Sequence, residues 1–92
     1  MENNIFAMME VVSKYSADTR EWEEEDREYK GEVLLPLADP VKSPDFAAIL
    51  ESVDVHLEIV SYLNDYGRRI IEARTGDGQL LYTFLGRAAE DK

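Results

Sequence analysis

Arg20-Glu21-Trp22-Glu23-Glu24-Glu25-Asp26-Arg27-Glu28-Tyr29-Lys30 is the stretch on which the fold reading turns. With Glu32 just beyond, it gathers seven carboxylates around the only tryptophan of the chain. Asp18 and Glu21 have the spacing of a capping box, and Thr19 is a second candidate N-cap. From there the pairs Glu23–Arg27 and Asp26–Lys30 fall at i,i+4 with acid before base, while Glu21–Glu25 and Glu24–Glu28 repel at the same spacing. Each pair is worth only ~0.2–0.5 kcal/mol, so the charges nearly cancel as helix determinants. The spacing predicts a helix over 19–29, ended by Gly31 at C′.

Working outward, Ile5, Met8, Met9, Val12 and Tyr15 recur at helical spacing behind Asn3 or Asn4 as N-cap. A first helix over 4–16 is expected, although Phe6, Val11 and Val12 also suit a strand. Met8, Tyr15, Trp22 and Tyr29 are spaced by seven and would form one stripe if the two helices were continuous or stacked. Residues 32–38 alternate as a strand with Val33, Leu35 and Leu37 on one face. Pro36 lacks a backbone donor, so this is an edge strand or one that frays early.

Ser43-Pro44-Asp45 combines an N-cap, proline at N1 and an acid in the first turn. Phe46, Ile49, Leu50 and Val53 follow at i, i+3, i+4 and i+7, predicting an amphipathic helix of about ten residues. Val55, Leu57 and Ile59 then alternate with polar neighbours. Turn chemistry at Asn64-Asp65-Tyr66-Gly67 and Thr75-Gly76-Asp77-Gly78 separates strands over 68–75 and 79–85, a β-meander. Residues 86–92 are polar and expected to fray. The whole reads as one small α+β domain spanning 1–92, its helices packed on one face of a mostly antiparallel sheet, in the order α-α-β-α-β-β-β.

The chain has 92 residues, 45% of them hydrophobic, and a formal net charge of -10. Residues 1–46 hold 12 acids against 5 bases, and residues 47–92 hold 8 against 5, so the excess lies mostly in the first half. Such a balance repels phosphates and anionic membranes and attracts basic surfaces. No cysteine is present, which excludes disulfides and thiolate chemistry. No apolar run approaches the ~20 residues that span a bilayer. Nor does the start of the chain read as a signal peptide. A cytoplasmic location is expected, that of a host if the gene is viral.

Asp54, His56 and Glu58 share one strand face, but three ligands at ~3.3 Å per residue spread over ~13 Å, too far for one ion. The acidic run lacks EF-hand spacing. Gly76-Asp77-Gly78 is a hairpin turn and not a phosphate loop, and Ser43 and Ser61 have no nucleophile-elbow context. No enzyme activity, cofactor or metal is therefore expected. Arg68, Arg69 and Arg74 with Tyr62, Tyr66 and Tyr82 could form a single-strand nucleic-acid platform. Pairing with acids of neighbouring strands, or with the acidic stretch, explains those arginines more simply.

What remains is a partner-binding surface of Glu21, Trp22, Glu23, Glu24, Glu25, Asp26, Glu28 and Tyr29. Its bland alternative is a solvated face with the two aromatics tucked onto the core. Its functional reading is a small acidic inhibitor that occupies the basic surface of a nucleic-acid-binding protein, without touching nucleic acid or membrane itself. Anti-restriction, anti-CRISPR and nuclease-immunity proteins are analogues of that style. The alternative is a homo-oligomeric structural or assembly module, dimerising through a sheet edge or the Met8/Tyr15/Trp22 stripe.

Overall fold

Neither of the first two expected helices forms. The computed structural model describes residues 3–86, and there both segments are strands. β1 (Asn3–Ser16) and β2 (Glu21–Pro36) make one long antiparallel hairpin. A 3-10 turn (Pro40–Lys42) and α1 (Pro44–Leu50), the single α-helix among the described residues, follow. The meander β3 (Leu57–Leu63), β4 (Arg69–Thr75) and β5 (Leu80–Gly86) completes a five-stranded antiparallel sheet in the order β2-β1-β5-β4-β3. The α+β arrangement α-α-β-α-β-β-β is thus replaced by a mostly β fold carrying one short helix.

The physical reason lies in the neighbours of β1. It pairs with β2 along its whole length and with β5 over Phe6–Glu10, so it is a central strand with apolar side chains on both faces. A continuous apolar run of that kind mimics helical periodicity. Ile5, Phe6, Val11, Val12 and Tyr15 then favour the extended chain. Asp18 and Thr19 belong to the hairpin loop, which closes with Arg20 N–H donating to the Ser16 carbonyl at 2.7 Å and with Arg20 at φ 59°. Gly31 stops no helix. It sits inside β2 at φ 137°, where the register slips between Met8 and Met9 and Lys30 becomes the unpaired residue of a bulge. Residues 32–36 of the strand expected over 32–38 are the end of β2, which lies at the sheet edge and stops at Pro36, so Leu37 and Ala38 fall outside it.

From α1 onward the element types agree with the sequence reading, but α1 stops at Leu50, short of Val53, and β3 begins at Leu57, leaving Val55 exposed in the connector. Ser43 Oγ accepts from Asp45 N–H at 3.1 Å and caps α1. Phe46 descends onto the sheet and packs on Phe84 with ring centroids 5.1 Å apart. Phe6, Leu35, Phe46, Ile71 and Phe84 form the core, and Met8, Val33, Ile49, Leu50, Ile59 and Tyr82 pack around it. Asn64 Oδ1 organises the β3–β4 turn by accepting from Tyr66 and Arg68 N–H. Gly86 belongs to β5 and not to a tail, because a Cβ there would stand 3.0 Å from the Phe6 ring. The rest of the expected tail, 87–92, lies outside the described residues.

Strand alternation assigns the remaining side chains to two faces. The helix face carries the core. The second face carries Ile5, Met9, Val11, Arg27, Tyr29, Leu34, Tyr62, Glu72, Arg74 and Thr83. Across this face Arg74 of β4 reaches to within 3.9 Å of Glu24 on β2. No described helix is long and apolar enough to cross a membrane.

Candidate acidic edge strand

Beyond Glu10 the β1–β2 hairpin runs on past its pairing with β5, as a two-stranded ribbon of Val11–Ser16 against Glu21–Arg27. Such a ribbon is marginal by itself and needs tethers to the body. Ser13 Oγ donates to the Leu80 carbonyl at 3.1 Å. Arg74 reaches across from β4 to within 3.9 Å of Glu24, and Glu24 also holds Arg27 at 2.6 Å.

Trp22 packs inside the ribbon. It pairs with Tyr15 across the hairpin, the rings edge to face with centroids 5.3 Å apart. The residue is half-buried, and its indole nitrogen is shielded from water without a hydrogen-bond partner among the described residues. In the β4–β5 turn, hydrogen bonding from Thr75 holds the Asp77 carboxyl below its ordinary pKa, desolvation opposes the shift, and the indole of Trp22 adds to the lowering.

The carboxylates themselves are solvated. Glu21, Glu23, Glu24, Glu25, Asp26 and Glu28 are all exposed, as is Tyr29 at 58%. They do not line one side of a helix, as carboxylates at helical spacing would. Opposite Ser16, Lys14, Val12 and Glu10, respectively, Glu21, Glu23, Asp26 and Glu28 share the helix face, while Glu24 and Glu32 share the second face with Tyr29. The i,i+4 pairs Glu23–Arg27 and Asp26–Lys30 do not form, because an extended chain separates those positions. Lys30 instead bonds Glu10 at 3.1 Å and approaches Glu28 at 3.8 Å. Glu10 and Glu28 face each other across the hairpin, so the bulge brings in the cation that offsets their repulsion. That contact with Glu10 raises the Lys30 pKa, with Glu28 adding to it. The Tyr29 hydroxyl is raised by partial desolvation and then by neighbouring Glu32. Glu21, Glu23, Glu25, Asp26 and Glu32 have no ion pair among the described residues.

The other sequence candidates disperse. Asp54 and His56 fall in the connector before β3, with only Glu58 in the strand, and no metal-holding cluster occurs among the described residues. Arg74 bonds Glu72 at 3.0 Å, Tyr62 donates to Glu72 at 3.0 Å, and Arg69 donates to Ser61 at 3.2 Å. Tyr82 lies on the helix face, so the aromatic–basic group is split between two faces. A shallow apolar hollow of about 240 Å³ lies between the end of β2 and α1, lined by Pro36, Ala38, Asp39, Lys42, Ser43 and Pro44. Sequence reasoning missed the ribbon and its tethers, and Thr75 with Asp77 gave no signal beyond turn chemistry. The chain matches no family model, no curated protein and no solved structure.

Proposed function

We propose that this protein is an acidic inhibitor whose β2 strand docks on a basic surface of a nucleic-acid-binding protein. The observation that supports the reading most is uncompensated charge on an edge. Five carboxylates of one strand lack an ion pair among the described residues, and the strand has a sheet neighbour on one side only. Carboxylates on both sides of a thin ribbon present negative charge to the walls of a groove built for phosphates. Tyr29 supplies the exposed apolar anchor, and Trp22 packs on Tyr15 within the ribbon.

The test is capture from a host lysate on the immobilised chain, beside the quadruple variant Glu23→Lys, Glu24→Lys, Glu25→Lys, Asp26→Lys. Basic nucleic-acid-binding proteins should be retained at about 0.05 M salt, released at about 0.5 M, displaced by added DNA, and absent from the variant. Equal retention by the variant, or indifference of the bound protein to DNA, defeats the reading.

A further inference from the structure

The opposite edge of the sheet, β3, has no strand partner on its outer side among the described residues. Its sequence Leu57-Glu58-Ile59-Val60-Ser61-Tyr62-Leu63 contains one charge, no proline, no glycine and no lysine. Its register against β4 runs without a shift, so no bulge turns the edge aside. Val60, Tyr62 and Leu63 are exposed. Proteins ordinarily guard such an edge with charge, proline, bulges or cover, and an unguarded one is a template for strand pairing.

We infer that β3 pairs antiparallel with β3 of a second copy of this chain about a two-fold axis at Val60. Charge selects this occupant. The chain as a whole repels its own copy, but around β3 the excess is cancelled. β3 and its neighbour β4 together carry Arg69 and Arg74 against Glu58 and Glu72. The register is self-complementary. Leu57 faces Leu63 of the second copy, Ile59 faces Ser61, Glu58 faces Tyr62, and Val60 faces its own counterpart. No like charges stand opposite, and each Glu58 gains a phenol as neighbour. The two five-stranded sheets join into one of ten strands, an isologous contact. An equivalent contact through β2 would set rows of carboxylates against each other.

Sedimentation equilibrium on the full chain decides it. The expected result is a monomer–dimer equilibrium in the micromolar range that persists at about 0.5 M salt. Val60→Lys and Val60→Glu each place like charges at the two-fold position and should weaken the dimer at least about tenfold. An equal mixture of the two variants should restore it as a heterodimer. A chain monomeric at every concentration overturns the inference, as does a dimer indifferent to both substitutions or a mixture that fails to associate. Should the charged variants misfold, Val60→Cys decides in a chain without other cysteines. Under mild oxidation by a diazene it should cross-link faster than Glu21→Cys, and equal rates count against the register. This contact stands on a different edge from the docking strand, so either can fail without the other.

Discussion

The two edges of this sheet are built by opposite rules. β2 is 16 residues long and carries every device that keeps an edge from pairing: carboxylates along both faces, two register slips against β1, Gly31 at a left-handed φ, and Pro36 at its end. β3 is seven residues long, straight in register, and uncharged except for Glu58. Composition alone gives the chain one net charge, whereas the fold divides it into an edge that refuses its own copy and an edge that tolerates it. Self-association and partner docking are therefore separable by mutation.

The largest effect expected is on the element the two edges share. Phe84 is fully buried on β5, opposite Met8 of β1 and Ile71 of β4, and it meets Phe46 of α1. Phe84→Ala should cost about 3–5 kcal/mol, a large part of the ~5–15 kcal/mol available to a small domain. Urea unfolding followed by far-ultraviolet circular dichroism checks the size. Hydrogen exchange checks the more telling point, since amides of β2 and β3 should lose protection together. If only one edge loosened, the edges would belong to separate cooperative units and the comparison would be between two modules.

Next comes the bulge. Gly31 adopts φ 137°, a conformation that side chains with a Cβ rarely take, although a Cβ there meets no atom within 4 Å. The cost of Gly31→Val is thus backbone strain, about 1–3 kcal/mol, measured again by urea unfolding. The substitution also presses β2 toward a regular register, displacing Lys30 from Glu10. A variant of unchanged stability would mean that the bulge is not set by Gly31.

Those two residues show what the sequence could and could not reveal. α1 and the meander were legible because their signals are local: the Ser43 cap, Pro44 at N1, and glycine-bearing turns of fixed length. The hairpin was not, because its signals are long-range. Met8, Met9, Val12 and Tyr15 mimic a helical stripe because β1 is flanked by β2 and β5 and carries apolar side chains on both faces. Glutamate-rich β2 carries helix-forming residues, and Gly31 reads equally as a helix stop or a bulge until its partner strand is known. The candidate site fared similarly. Its residues could be named from charge and aromaticity, but Trp22 is a half-buried residue of a ribbon, and that place depends on Tyr15 being brought opposite it.

The smallest expected effect is an alkaline one, and it separates the edges by their titrating groups. On β2, Lys30 has its pKa raised by Glu10. On β3, Tyr62 has its pKa raised by desolvation and by its hydrogen bond to Glu72, with Arg27 and Arg74 acting the other way. In both cases the protonated form is favoured by folding. The stabilisation is therefore complete below the unfolded values, ~10.4 for lysine and ~10 for tyrosine, and is lost as pH rises through the folded ones. Thermal melts between about pH 9 and pH 12 should show a shallow decline in midpoint with both contributions overlapping. Tyr62→Phe removes the phenol and its bond to Glu72, so the decline should shrink to what Lys30 and Tyr29 carry, while Lys30→Met should leave the tyrosine part. If Tyr62→Phe left the profile unchanged, the Tyr62–Glu72 bond would not hold in solution. Glu72 would then be free to pair with Arg74 alone, and the charge cancellation that makes β3 the tolerant edge would rest on the arginines without the tyrosine that now shares their carboxylate.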